Sequence, residues 1–197
     1  MCDEDMNMDE SLKKIWNIIE NYLPENDQER EDQEKMLMAL KNASKEILLR
    51  AEPYHFTVSA MIFNQAKDKV LFAFHRIYQS WAWLGGHLDG DEDPFFAIKR
   101  EIQEECGLSV TEPYASSIVS LEILPVLEHV KHGKVVHSHQ HFNLTYLFIE
   151  DEKDAIRPKL DENKAVEWIP LSELDEKVKE KHMLPIYYKI IKRVLKK

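Results

Sequence analysis

The sequence predicts an α/β fold in which a mixed β-sheet has helices packed on it. From residue 54 onward, runs rich in β-branched and aromatic residues, such as 55–63 and 69–75, have the pattern of strands. Helical segments interrupt these runs without the regular strand–helix–strand alternation of an all-parallel sheet. With 197 residues, of which 44% are hydrophobic, the chain is long enough for one globular domain and an additional segment.

The additional segment comprises residues 1–50, and the main domain comprises residues 51–197. The segment contains no Gly, and its apolar residues recur at helical spacing up to Pro24, which ends the first helical run. A second helix is predicted over 27–48. We expect the two helices to form a hairpin that packs on the domain. The alternatives are a surface that binds a partner or forms a homodimer, or a lid over a site.

Composition and charge argue against several classes of protein. The net charge of -10 disfavours a protein that binds nucleic-acid polymers through their phosphates. No apolar run approaches the roughly 20 residues that span a bilayer, and the acidic N-terminus is unlike a signal peptide. We therefore expect a cytoplasmic protein that does not insert into membranes. The two cysteines, Cys2 and Cys106, are too few for a disulfide framework or a Cys-based zinc module.

A helix is predicted over 94–106, where charged residues are dense. Asp93 is a suitable N-cap, and Pro94 stands at the first helical position, where its missing N–H is not needed. Gly107 is a typical C-terminal stop. The sequence thus delimits this helix at both ends.

Three carboxylates share one face of this helix, because successive residues are about 100° apart. They are Glu101, Glu104 and Glu105, and an adjoining apolar stripe is expected to face the core. Like charges at this spacing repel one another, and a divalent cation would convert the repulsion into binding. Oxygen ligands suit Mg2+ or Mn2+. The alternative is a solvated acidic face.

The residues around the helix match the pattern G-x5-E-x7-R-E-U-x-E-E-x-G-U, in which U is aliphatic. Its nine fixed positions are filled by Gly86, Glu92, Arg100, Glu101, Ile102, Glu104, Glu105, Gly107 and Leu108. A chance match is on the order of one in a million or rarer, given ordinary residue usage. This pattern is the Nudix box, and the chain resembles a Nudix hydrolase over about 54–197.

The resemblance implies an α/β/α sandwich and a hydrolase that cleaves a diphosphate bond in a small nucleotide derivative. It also implies that Glu101, Glu104 and Glu105, together with the carbonyl of Gly86, hold Mg2+ or Mn2+. A metal of this kind neutralises phosphate charge and lowers the pKa of a bound water.

Further roles follow from the same resemblance. Glu92 and Arg100 look like the pair that braces the loop against the helix. The general base varies among Nudix proteins, and Glu105 or Glu101 is the first candidate here. Glu162, in the polar loop before a late strand, is the second candidate, with a solvated loop acid as its alternative.

A strand after residue 135 carries His137, His139 and His141 on one face. Same-face neighbours on a straight strand are about 7 Å apart, which is far for ligands of one tetrahedral ion. We therefore predict that His139 and His141, with His87, line a substrate pocket; a structural strand and a metal site remain alternatives. Trp81 is predicted either to stack on a base or to pack in the core.

Two other functions remain open at this stage. An isoprenoid diphosphate isomerase shares the fold that the resemblance implies, but it requires a proton-transfer cysteine in its pocket. Cys106 lies on the apolar side of the predicted helix and Cys2 lies at the terminus, so neither fits that role well. A non-catalytic sensor of a nucleotide derivative is the other alternative, although such sensors commonly lose the glutamates that this chain retains.

Overall fold

The computed structural model describes residues 9–51, 53–131, 133–161 and 163–196. Cys2 and Glu162 therefore lie outside the described residues. Packing divides the chain into two compact units. The first consists of Met1–Val58, His87–Ala97 and Ser120–Leu144, and the second consists of Ser59–Gly86, Ile98–Val119 and Thr145–Lys197.

The described residues form α-helices, strands and short 3-10 helices. The α-helices are α1 (Lys13–Glu20), α2 (Asp27–Lys41), α3 (Pro94–Cys106), α4 (Leu174–Lys177) and α5 (Leu184–Leu195). The strands are β1 (Tyr54–Asn64), β2 (Lys69–His75), β3 (Ser80–Ala82), β4 (Leu84–His87), β5 (Ser120–Val126), β6 (His129–Lys131), β7 (Lys134–Val136), β8 (His139–Glu150) and β9 (Asn163–Pro170). The 3-10 helices are Glu10–Leu12, Lys45–Leu48, Leu171–Glu173 and Lys181–Met183. None of the helices in this described part combines the length and hydrophobicity needed to cross a bilayer.

Seven strands form one sheet. Its central order is β3-β2-β1-β8-β5, with β4 paired to β1 and β9 paired to β2, while β6 and β7 form a separate antiparallel pair. The predicted hairpin is present: β1 pairs antiparallel with β2, and Phe63 stands opposite Val70. Asn64 closes the turn, because its side-chain oxygen accepts hydrogen bonds from the amides of Asp68 and Lys69 at 3.0 and 3.1 Å. The predicted mixed sheet with flanking helices is confirmed.

Each unit has its own buried apolar side chains. Those of the first unit include Leu12, Ile15, Ile19, Met36, Leu40, Leu48 and Phe56. Those of the second unit include Phe63, Phe72, Ile98, Ile102, Phe148 and Tyr187. In the second unit α5 packs on β2, since the rings of Tyr187 and Phe72 are 5.0 Å apart. These side chains exclude water from the elements that position the site.

The N-terminal helices lie in the first unit, where α1 packs on α2 and α2 packs on β5. The predicted helix over 27–48 was too long. The structure ends α2 at Lys41 and forms a separate 3-10 helix at Lys45–Leu48, whose N-cap Ser44 accepts a hydrogen bond from Glu46. Short polar side chains at 42 and 44 compete for backbone hydrogen bonds and interrupt the helix. Whether residues 1–50 also form a dimer surface stays a prediction, as does a functional boundary at residue 50.

Two buried acids attach α2 to β5. Asp32, which is 3% exposed, accepts a hydrogen bond from the amide of Ile123 at 3.0 Å. Glu29 is fully buried and accepts hydrogen bonds from the Glu25 amide and the Ser120 hydroxyl. The contact between α2 and β5 therefore combines apolar packing with hydrogen bonds to buried carboxylates.

Replacing Asp32 with alanine is expected to destabilise the chain by about 1–3 kcal/mol, because the partly buried amide of Ile123 loses its acceptor. Urea unfolding followed by circular dichroism measures the change. Glu34→Ala, at an exposed position of the same helix, should alter the free energy of unfolding by no more than about 0.5 kcal/mol. Asp32→Asn retains an acceptor oxygen and should fall between the two. Equal effects of Asp32→Ala and Glu34→Ala would contradict this account of the attachment.

Candidate active site and histidine cluster

The helix that carries the predicted metal ligands begins and ends where the sequence indicated. α3 covers Pro94–Cys106, and Asp93 caps it by accepting a hydrogen bond from the Phe95 amide at 3.0 Å. Gly107 follows the helix with a φ of 80°, a left-handed conformation that glycine adopts without a steric penalty. Ile98, Ile102 and Cys106 are fully buried, as expected for the apolar stripe.

Glu105 is held by two donors from elsewhere in the second unit. It is 6% exposed. Its Oε2 accepts a hydrogen bond from the Gly85 amide at 2.8 Å, and its Oε1 accepts one from the Asn163 side-chain amide at 3.0 Å. Asn163 is fully buried, and within the described chain its Oδ1 atom has no hydrogen-bond partner. A buried carboxylate and a buried amide oxygen thus lie next to each other.

Glu101 lies against the backbone of Gly86. It is 8% exposed, and its Oε1 accepts a hydrogen bond from Arg100 at 2.8 Å. A Cβ atom added at Gly86 would come within 2.5 Å of the Glu101 carboxyl carbon and within 2.7 Å of both its oxygens. Only glycine therefore allows this close approach.

Glu104 is the most exposed of the three glutamates, with 42% of its side chain accessible. Its carboxylate lies 3.1 Å from the Lys159 ammonium and 3.8 Å from the Arg100 guanidinium. The segment that carries Lys159 is held at the end of α3, since the amides of Arg157 and Lys159 donate to the carbonyls of Cys106 and Glu105. The positive groups offset part of the repulsion among the three carboxylates.

These residues fit the oxygen-ligand set that Mg2+ or Mn2+ prefers. Two buried carboxylates are oriented by hydrogen bonds or an ion pair, and the third is accessible to solvent. The backbone of Gly86 approaches Glu101 closely, and the Oδ1 atom of Asn163 is a buried oxygen beside Glu105. The predicted ligands Gly86, Glu101 and Glu105 are thus brought together in the second unit.

Asn163 and Lys159 were not predicted from the sequence. Both lie close to Glu162 in the polar stretch where a general base is predicted. Nothing in their spacing relates them to α3, because the fold alone brings this stretch to the end of the helix. The one sequence feature that indicated this region was the acidic loop before β9.

The predicted bracing pair is distributed over both units. Glu92 lies in the first unit and is exposed, in the loop that precedes α3. Arg100 lies in the second unit, where it is paired with Glu101 and lies near Glu104. Its pairing with Glu92 stays a prediction.

Trp81 and Cys106 occupy core positions. Trp81 on β3 is 8% exposed and packs edge-to-face on Phe74, with ring centroids 5.4 Å apart. This packing corresponds to the core alternative, and stacking on a base stays a prediction. The Cys106 thiol is fully buried, donates to the Ile102 carbonyl, and has its pKa raised by burial to about 12. Such a thiol is poorly suited to the proton transfer that an isoprenoid diphosphate isomerase requires.

The first unit contains a group of four histidines, which we call the histidine cluster. Its members are His55, His87, His139 and His141. The ring centroids of His55 lie 4.9–5.1 Å from those of the other three. The Nε2 atoms of His139 and His141 are 3.1 Å apart, much closer than the straight-strand estimate for same-face neighbours. His137 lies outside the cluster, where it is exposed and is 3.2 Å from Glu128.

His55 was not predicted to belong to this cluster. This residue lies on β1, more than 80 positions before His139, and only the sheet brings β1 and β8 side by side. The available sequence signal was a single imidazole in a strand of mostly apolar residues. Burial is the main reason that the pKa values of His55 and His141 are lowered, that of His141 to about 2. Both rings are therefore neutral at physiological pH.

The chain is similar to known proteins in sequence and in fold. An RNA pyrophosphohydrolase from Acidiphilium cryptum (strain JF-5) is 40% identical over 68 residues, which are 32% of this chain and 40% of that protein. The chain thus spans about two fifths of the length of this curated relative. A hydrolase of the NUDIX family from Clostridium perfringens is 26% identical, with a TM-score of 0.50, over 71% of this chain and 97% of that one.

A second structure supports the fold alone. It is the NUDIX domain of NrtR from Shewanella oneidensis, complexed with ADP ribose. It is 17% identical, with a TM-score of 0.52, over 80% of this chain and 97% of that one. The family model of the NUDIX domain matches residues 53–193. Because this match covers more than half of the chain, the chain belongs to the NUDIX domain family.

Proposed function

We propose that the chain is a divalent-metal-dependent hydrolase that cleaves a phosphoanhydride bond in a nucleoside diphosphate derivative. The observation that carries the proposal is the orientation of Glu105 and Glu101. Glu105 is held between the Gly85 amide and Asn163, and Glu101 lies against Gly86. Preorganised carboxylates of this kind cost little reorganisation during the reaction.

The proposed ligands of Mg2+ or Mn2+ are Glu101, Glu104, Glu105 and the carbonyl oxygen of Gly86. When bound, the metal would offset phosphate charge and make a water molecule more acidic. Arg100 and Asn163 are positioning residues, because each contacts a ligand carboxylate. Arg100 contacts Glu101, and Asn163 contacts Glu105. Outer contacts of this type keep metal ligands in place.

The reaction is the attack of a water oxygen on one phosphorus of the diphosphate. A new P–O bond forms, and the bridging P–O bond breaks with its electron pair leaving on the departing phosphate. Glu105 is the proposed acceptor of the water proton, with Glu101 the next candidate. Glu162 is retained as the third, on the sequence argument alone. The expected products are two phosphorylated fragments, or a monophosphate and pyrophosphate.

The printed names of two similar proteins agree with a nucleotide derivative as the proposed substrate. One is named an RNA pyrophosphohydrolase, and the other was crystallised with ADP ribose. The first name refers to RNA, a polymer, and the second to a small derivative; what the two share is a diphosphate attached to a nucleotide. A small nucleotide derivative also agrees with the net charge of -10, since the metal supplies the positive charge that a polymer-binding surface would otherwise need. A cytoplasmic location belongs to the same proposal.

Hydrolysis in oxygen-18 water tests the proposal. The panel contains nucleotide sugars, dinucleoside polyphosphates, NADH, ADP-ribose and nucleoside triphosphates, each with Mg2+ and with Mn2+. We expect at least one substrate to yield a phosphate product that carries the label, and no turnover in the presence of EDTA. Tight binding of a nucleotide derivative without a labelled product, across the panel and with both metals, would instead establish a non-catalytic sensor.

A further inference from the structure

We propose that His55, His139 and His141 bind one transition-metal ion, with zinc as the expected occupant. One imidazole nitrogen from each residue takes part, and these three atoms all lie within 4.8 Å of one another. The residues belong to the first unit, whereas the glutamates of α3 belong to the second. The proposal is thus separate from the proposed hydrolase function and does not depend on it.

Hydrogen bonds to carbonyl oxygens determine which ring nitrogen carries the proton. The Nδ1 atom of His55 is 2.7 Å from the Ala51 carbonyl oxygen, and that of His139 is 2.8 Å from the His137 carbonyl oxygen. A carbonyl oxygen can only accept, so both Nδ1 atoms donate. In a neutral ring the Nε2 atom then carries a lone pair, and that of His139 accepts the Nε2–H of His141 at 3.1 Å, a proton that a bound metal ion would displace to solvent. Metal-bound histidines commonly have this arrangement, in which the other ring nitrogen donates to a backbone carbonyl.

The Nε2 atom of His55 is the nitrogen that a metal ion would stabilise most. His55 is only 2% exposed, and among the described residues its Nε2 atom has no hydrogen-bond partner. A buried lone pair without a donor costs free energy. A metal ion would satisfy it.

The separation of the other two nitrogens matches a shared ion. Two nitrogens that are each about 2.0–2.1 Å from zinc, at a tetrahedral angle, are about 3.3 Å apart. The Nε2 atoms of His139 and His141 are 3.1 Å apart. The third nitrogen belongs to His55. Its ring must shift on the order of 1 Å to reach the same ion, and rotation about the side-chain bonds provides this shift.

The charge of the surroundings favours a cation over a phosphate group. Phosphate oxygens accept hydrogen bonds, so lone pairs on neutral imidazoles would repel them. Arg50, a cation that acts on His55 and His141, is engaged by Asp89 through contacts of 2.9 and 3.0 Å. Imidazole nitrogen suits zinc, copper and nickel, whereas Mg2+ and Mn2+ favour oxygen ligands. On this proposal His139 and His141 hold the ion and His87 packs beside it, while contact of these residues with a substrate stays a prediction.

The experiment uses the full chain, stripped of metal with a chelator and dialysed against equimolar zinc. Retained zinc is measured by elemental analysis, and affinity by calorimetric titration. We expect one zinc per chain in a Glu104→Gln/Glu105→Gln background, which removes competition from α3. His139→Ala and His141→Ala should each weaken zinc binding at least tenfold. His137→Ala is the matched control, because this exposed histidine of the same segment lies outside the cluster.

A second measurement leaves the histidines unaltered, so its result does not depend on whether the alanine variants fold. Cobalt(II), added to the Glu104→Gln/Glu105→Gln protein, should give the intense visible absorption of a low-coordinate nitrogen site, and zinc should displace it. Zinc binding that is unchanged in His139→Ala and His141→Ala would overturn the proposal. So would a weak spectrum of the octahedral type together with the loss of all zinc in the glutamate background.

Discussion

Replacing Glu105 with glutamine is expected to lower kcat by about two orders of magnitude or more, because the variant loses a proposed metal ligand and proton acceptor. The structure gives a second reason. Both oxygens of Glu105 accept hydrogen bonds, one from the Gly85 amide and one from Asn163. A glutamine has one side-chain oxygen, so its amide group would face a donor. The orientation of the side chain would be lost along with its charge.

The measurement is kcat on the best substrate of the oxygen-18 panel, with Mn2+ titrated over a wide range. The increase in melting temperature caused by Mn2+ should also shrink, since ligand binding stabilises the folded state by mass action. Glu112→Gln, an exposed acid of the second unit, makes the same charge change and should leave both quantities near those of the unaltered chain. A Glu105→Gln variant with kcat reduced less than tenfold and an unchanged metal shift would contradict the assignment.

The second large effect is expected at Gly86. Its replacement with alanine places a Cβ atom within 2.5–2.7 Å of the Glu101 carboxylate atoms. Glu101 is buried and paired with Arg100, so it must move or the strand β4 must shift. Overpacking of this kind typically costs about 1–3 kcal/mol of stability. We also expect activity to fall by at least tenfold, because a proposed metal ligand is displaced.

A double-mutant cycle separates this clash from a general effect on the backbone. In a Glu101→Ala background the added methyl group has space, so Gly86→Ala should then cost far less free energy of unfolding. Gly133→Ala is the control, because it has a positive φ but nothing within 4 Å of the added Cβ atom. It should show only a modest strain cost and full activity. Equal costs of Gly86→Ala in both backgrounds would show that the contact with Glu101 is not the cause.

The helix limits that were predicted correctly are those that neighbouring residues determine. Asp93, Pro94 and Gly107 delimit α3, because caps and stops act on neighbouring backbone groups. Local signals gave the wrong end for the helix predicted over 27–48. There the apolar spacing continued past Lys41, while the polar residues that interrupt the helix carried a weaker signal.

By itself, the sequence determined the fold class, the limits of α3 and the set of glutamates on its face, because helical periodicity and motif spacing are properties of adjacent residues. Tertiary structure alone decided which distant groups meet those residues. Asn163 reaches Glu105 from 58 positions away, and His55 on β1 joins His139 and His141 on β8. The physical reason is that the choice of which strands pair, which no local pattern encodes, sets the distances between residues far apart in the chain.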